Sequence, residues 1–299
     1  MRWSEPATVD AVAQRAPSIE SAILRHVNCG SVMSRRLGRA LRSGVALGLL
    51  SAANAVAQTD EIQVYDGGLA GRGIFNLTLH NNYVADGLKT PAFAGAVIAD
   101  RSWNGTFEWA WGVRHWFEAG LYLPIYTRDD HEGWGLDGFK LRALFAVPDA
   151  RHRRFVYGAN LEFSFNARRW DAARFTSEVR PIIGWHLGRI DVFVNPILDT
   201  AYDGFGNIDF APVLRLAFNP GRGWTIAAEE YADLGPLHGF HPVSAQSHQL
   251  FAVLSHGGGV LDVEAGIGFG LTSGSDRLTF KLMIARDLNA GERSRAPVP

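Results

Sequence analysis

The sequence predicts an all-β protein: an antiparallel up-and-down transmembrane β-barrel of about twelve strands. Three observations carry this reading. From Gly73 onward, apolar and polar residues alternate with the period of two that a strand with one apolar face requires. No stretch after residue 58 supplies the roughly 18 consecutive apolar residues of a spanning helix, so insertion into a bilayer has to use strands. Residues 33–57 have the three-part layout of a secretory signal, which makes an exported chain.

That signal begins at Met33, carries Arg35, Arg36, Arg39 and Arg42, continues as an apolar run from Gly44 and ends on the small residues Ala55 and Ala57. Signal peptidase accepts only small side chains at its site, so cleavage is expected between Ala57 and Gln58. Residues 1–32 have no comparable logic and read as sequence upstream of the true start. The barrel is expected over 58–288, followed by a polar tail over 289–299. Cys29 lies ahead of the signal, so the mature chain holds no cysteine. Without the seven arginines and three acids of residues 1–57, the chain has 22 basic and 27 acidic residues, a net charge near −5 that argues against a nucleic-acid partner.

The strands follow in order. Phe75, Leu77, Leu79 and Tyr83 oppose Asn76, Thr78, His80 and Asn82. Phe107, Trp109, Trp111 and Val113 oppose Glu108, Ala110, Gly112 and Arg114. Phe117, Ala119, Leu121, Leu123 and Ile125 oppose Glu118, Gly120 and Tyr122. Further runs cover about 136–147, 154–166, 174–187, 190–199, 207–219, 224–232, 247–255, 260–270 and 277–287, each starting where a turn signal ends. The runs at 190–199, 224–232 and 247–255 are the weakest, because Phe193, Glu230 and Phe251 break parity.

Connections alternate between short turns, near 114–116, 148–153, 188–189, 220–223 and 256–259, and longer loops, near 84–103, 127–135, 167–173, 200–206, 233–246 and 271–276. Transmembrane barrels show this asymmetry, with short periplasmic turns and longer outside loops.

A soluble β protein would also alternate, so the polar face decides the environment. Glu108, Arg114, Glu118, Lys140, Arg142, Glu162, Glu178, Arg180, Asp191, Asp209, Arg215, Glu229, Glu264 and Lys281 all have the parity opposite the apolar residues and mix both signs. Charges enclosed in a narrow barrel must neutralise one another, and these are expected to line the lumen. Trp111, Trp116, Trp185 and Trp224 lie near short turns, and Trp103 and Tyr83 near long loops, as two interfacial girdles would require. The expected partners are outer-membrane lipid, lipopolysaccharide and the assembly machinery.

The segments DEIQVYDGGLAGRGIFNLTLHNNYV from Asp60, GVRHWFEAGLYLPIY from Gly112 and GIGFGLTSGSDRLTFKL from Gly266 resemble an uncharacterised group of proteobacterial outer-membrane β-barrels, over most of residues 60–287. The chain is similar, more loosely, to barrels labelled as transporters of aromatic-degradation pathways, which implies a transport role and no particular solute. Barrels of this kind end on an aromatic residue, whereas here a polar tail follows Leu288.

No segment is a catalytic signature. Ser247-His248 and Ser255-His256 are adjacent pairs whose side chains would point to opposite faces of a strand, a poor lipid-hydrolase dyad. His238, His241 and His248, or His131 with Asp129, Asp130 and Glu132, could attract a cation, but solvated loops are the simpler reading, and neither a metal nor a cofactor is expected. Asn76-Leu77-Thr78 and Asn104-Gly105-Thr106 match a glycosylation pattern without consequence in an outer membrane. The glycines of Gly266-Ile267-Gly268-Phe269-Gly270 share one face, where they make room inside a crowded barrel. Two functions remain open: a small-solute channel or transporter with a charged lumen, and a non-conducting barrel with a structural or surface role. Whether residues 60–71 plug the lumen or add an edge strand is also left open.

Overall fold

The computed structural model describes residues 61–130 and 132–289; the expected signal, its expected cleavage point at Ala57 and Gln58, His131 and most of the tail lie outside them. Twelve strands form the body: β1 (Phe75–Asp86), β2 (Trp103–Arg114), β3 (Phe117–Asp129), β4 (Gly133–Ala146), β5 (Phe155–Asn166), β6 (Phe175–Leu187), β7 (Ile190–Thr200), β8 (Asp209–Gly221), β9 (Trp224–Asp233), β10 (Ser247–His256), β11 (Asp262–Gly270) and β12 (Leu278–Asp287). Each pairs antiparallel with its neighbours in sequence, and β1 pairs with β12, closing the barrel. Asn289, the first residue of the tail, fastens this seam: its amide donates to the Gly73 carbonyl at 2.9 Å and its Oδ1 accepts from the Phe75 N–H at 2.8 Å.

The barrel is inside-out relative to a soluble protein. Trp109, Leu141 and Leu216 are 44%, 52% and 53% exposed, whereas Glu229 and Lys281 are 0% and 2% exposed. Such an apolar outer wall has its proper solvent in acyl chains, and enclosing the charges inside a closed sheet leaves no backbone edge to hydrate. Aromatic stacks ring both ends. Phe75 on Trp111 and Phe117 on Phe145 lie near the short turns, where Phe155 also tilts against Trp185, and Tyr83 stacks on Trp103 at 4.5 Å near the long loops.

Two details depart from the alternation. Ile125, expected on the outer wall with Leu123, is fully buried and faces inward. The β3 ladder slips between Tyr122 and Ile125, where Pro124 offers no N–H, and a bulge of this kind reverses the parity of the residues beyond it. The long loop expected at 127–135 is instead a connection over 130–132, because β3 and β4 extend past the belt as a hairpin carrying the exposed Trp134 and Leu136.

The three parity breaks have definite partners. Phe193 and Phe251 turn inward, and each lies over a glycine directly across the ladder, Gly184 and Gly268 respectively; a Cβ on either glycine would collide with the ring. Glu230 faces outward, where its carboxylate meets His248 Nδ1 at 3.1 Å.

Candidate functional site: a lumen occupied by residues 61–71

Side chains from strands that are not neighbours in the sheet can touch only across the interior, so long-range ion pairs map the lumen. On one side, Lys281 of β12 reaches Glu229 of β9 at 2.6 Å and Glu264 of β11 at 2.8 Å, and Arg215 of β8 pairs with both carboxylates, at 3.0 Å from Glu264. Tyr231 donates to Glu229 and Ser255 to Glu264. Two cations and two carboxylates thus cancel on the wall itself, as burial of charge demands.

The opposite side is organised differently. Arg142 of β4 pairs with Glu108 of β2 at 2.7 Å and with Glu118 of β3, and His80 of β1 lies 2.8 Å from Glu108. Arg180 forms a fork onto Glu178 at 2.6 and 2.9 Å, and Lys140 approaches Glu162 at 3.4 Å.

These groups are completed by a segment that belongs to no strand. Residues 61–71 run through the lumen before the chain turns into β1. Arg180 donates to the Gln63 carbonyl at 3.1 Å and to Glu61 at 3.4 Å; Lys281 donates to the Ile62 carbonyl at 3.3 Å. Asn195 of β7 grips the Tyr65 backbone at both polar atoms, accepting from its N–H at 2.8 Å and donating to its carbonyl at 3.0 Å, so one side-chain amide does what a neighbouring strand would do. The Tyr65 hydroxyl meets that of Tyr122 at 2.6 Å, and its ring lies 4.8 Å from the Arg180 guanidinium and 5.7 Å from that of Arg142, within cation–π range. Lower down, the Ala70 N–H donates to Glu118.

Apolar contacts seat the same strap. Val64 and Tyr65 pack with Leu144, Val156, Ile182, Phe193 and Val213, and Ile62 packs with Ala217, Ala227, Phe251 and Val253. Both inward-facing phenylalanines are therefore part of its seat. Where the strap meets the wall, a Cβ on Gly112 would strike the carbonyls of Ala70 and Gly71, so the close approach requires glycine.

At the long-loop end the 167–174 connection folds over the mouth. Trp170 is buried against Tyr122 and Ile125, which gives the parity reversal of β3 its role. Arg169 donates to Asp137 at 2.8 Å and lies within ion-pair range of Asp129 and Glu132, while its carbonyl accepts from the Val97 N–H at 2.9 Å. Two loop carboxyls, Asp171 of this connection and Asp276 of the β11–β12 loop, are pushed above the usual aspartate range by burial; an N–H bond, from Ala173 and Leu88 respectively, offsets part of that rise.

Among the residues assigned to the lumen from sequence, Glu108, Glu118, Lys140, Arg142, Glu162, Glu178, Arg180, Arg215, Glu264 and Lys281 take part in the clusters above. Arg114 does not: it is exposed at the β2–β3 turn and donates to the Val113 carbonyl. Asp209 sits at the long-loop rim, bridged to Pro236. His80, Tyr122, Asn160 and Asn195 are buried members that alternation marks only as polar-face positions, and Glu61 and Tyr65 lie where no period exists. The serine–histidine pairs do not form dyads, for Ser255 binds Glu264 while His256 turns onto Trp224. His238, His241 and His248 do not converge: His238 bonds the Gly206 carbonyl, and His248 bonds Glu230 and Gln246.

No protein-family model and no curated protein matches the chain. Among solved structures it is similar to an outer-membrane channel from Pseudomonas putida F1, with a TM-score of 0.51 and 10% identity over 76% of this chain and 100% of that one. It is also similar to the NanC porin, at 0.47 and 8% identity over 72% and 100%, and to a BenF-like porin from Pseudomonas fluorescens Pf-5, at 0.32 and 10% identity over 74% and 100%. At such identities the likeness is one of fold. The chain has the fold of an outer-membrane β-barrel, and its apolar belt and aromatic girdles suit it to that bilayer.

Proposed function

We propose that the protein is a small-solute channel of the outer membrane whose resting state is closed by its own N-terminal strap. The observation that carries this reading is the asymmetry of the lumen: one wall neutralises itself, while the other is completed by Glu61–Gly71 through side-chain clamps on main-chain atoms. A barrel serving only as scaffold would fill its interior from the wall. Here the filling is a segment outside the strands, tethered to β1 and otherwise held by non-covalent contacts, whose departure leaves a polar, charged passage. With the strap out, Glu108, Glu118, Glu162, Glu178, Glu229 and Glu264 face Lys140, Arg142, Arg180, Arg215 and Lys281, and the acidic Asp199 and Asp233 lie at the outer rim, so the passage favours cations.

Planar-bilayer recording of the refolded protein tests this. The expected result is brief, discrete openings with a reversal potential displaced toward cation selectivity in a salt gradient, and a higher open probability once Asn195→Leu removes the amide clamp. A bilayer that stays silent with both proteins would favour the non-conducting structural role instead.

A further inference from the structure

The strap brings one group of side chains together that alternation does not connect. Glu61 of the strap, His80 of β1 and Glu108 of β2 offer ligand atoms that all lie within 4.8 Å of one another, and all three residues are buried. Each carboxylate is held by an arginine through a single oxygen: Arg180 binds Glu61 Oε1 at 3.4 Å, and Arg142 binds Glu108 Oε1 at 2.7 Å. The second oxygens are disposed otherwise. Glu108 Oε2 lies 2.8 Å from His80 Nε2, and Glu61 Oε2, on a side chain 2% exposed, has no hydrogen-bond partner among the described residues. An orphaned carboxylate oxygen in the interior is costly unless something cationic meets it.

We propose that Glu61, His80 and Glu108 form a binding site for a divalent transition-metal ion of the zinc class, which ties the strap to the barrel wall. One imidazole nitrogen and two carboxylate oxygens are a donor set that such ions take at about 2.0–2.2 Å, leaving a fourth position open. Tetrahedral donors at those lengths stand about 3.4 Å apart, so closure needs the His80–Glu108 pair to spread slightly and Glu61 to swing in by side-chain rotation. The two arginines act as outer-shell partners that fix which oxygen each carboxylate presents. On binding, the ion replaces the proton shared between His80 and Glu108, and that proton passes to solvent. Hard cations such as Mg2+, which keep their water and avoid imidazole, fit poorly. Since the ligands come from the strap and from two wall strands, the bound ion stabilises the docked strap over the released one. The assignment is independent of whether the barrel conducts.

The test is calorimetric titration of ZnCl2 into the refolded, EDTA-treated full chain, with MgCl2 as control, in two buffers of different ionisation enthalpy, and heat-modifiable gel migration to verify folding. The expected result is one Zn2+ per chain with proton release and negligible heat from Mg2+. Glu61→Gln, which lies on the strap and leaves the wall intact, should weaken binding about tenfold or more, and His80→Ala by a larger factor, whereas the loop variant His238→Ala/His241→Ala should bind as the parent does. Absence of stoichiometric Zn2+ uptake, or uptake that folded Glu61→Gln retains at full affinity, would overturn the proposal. So would loss of binding in the loop variant.

Discussion

The two walls of the lumen contain the same kinds of residue and solve the same electrostatic problem in opposite ways. Across β8–β12, Arg215, Lys281, Glu229 and Glu264 close on one another, and the strap adds to this polar group one carbonyl contact, with Ile62 seated on apolar side chains beside it. Across β1–β7, Arg142, Arg180 and Asn195 are satisfied in part by Tyr65, Gln63 and Glu61. A charge satisfied wholly by its own wall is a strut, whereas one that also leans on a segment outside the strands makes the wall's comfort partly conditional on where that segment lies. Stability should therefore reside in the first wall and switching in the second.

The largest effect should come from breaking the strut. Lys281→Met leaves Glu229 and Glu264 sharing Arg215 alone, and one-sided removal of a buried ion partner costs about 3–5 kcal/mol; the urea midpoint of the refolded barrel, read by gel migration, should fall accordingly. Asn195→Leu on the other wall, which removes the clamp on the Tyr65 backbone and strips no wall carboxylate of its cation, should lower that midpoint less and instead make residues 61–71 accessible to protease. Equal losses of stability from both would erase the distinction between the walls.

Next is Tyr65→Ala, which removes a buried aromatic ring worth about 3 kcal/mol and so shifts the docked-to-released ratio of the strap by about a hundredfold. Proteolysis of the strap should accelerate by a similar factor while the barrel midpoint barely moves. Gly112→Val should act in the same direction more weakly, because the added side chain pushes against Ala70 and Gly71 at the end of the strap and leaves the Asn195 clamp in place.

The smallest effect concerns the outer loops. Burial raises the Asp276 carboxyl, so its folded value exceeds the unfolded one; its contribution is complete below the ordinary aspartate range and is lost as pH rises through the raised value. Protection of the Leu88 region in hydrogen exchange should decline over that interval, and Asp276→Asn should flatten the dependence.

Strand number and order were legible because they rest on a repeat of two that each strand states for itself. The strap was not. Residues 61–71 have no period, and their partners are spread over β3, β6, β7 and β12, so nothing local records them. The signal that did exist lay in the apparent faults. Phe193 and Phe251 spoiled the alternation of two strands, and each sat across the ladder from a glycine; an apolar ring forced into a charged lumen announces an apolar occupant. Ile125 was misassigned for a related reason, since a bulge at a proline shifts parity without altering composition.

The strap also constrains how the molecule can be assembled. Residues 61–71 continue directly into β1, whose pairing with β12 is the last join of the cylinder in chain order, and Asn289 latches that join only after β12 has been made. A ring of strands sealed beforehand would have to be threaded from one end, past Gly112 and between two sets of opposed charges. Curling the sheet around a segment already lying along its concave face avoids that passage. The piece that fills the finished barrel would then have served as the mandrel on which it was wound.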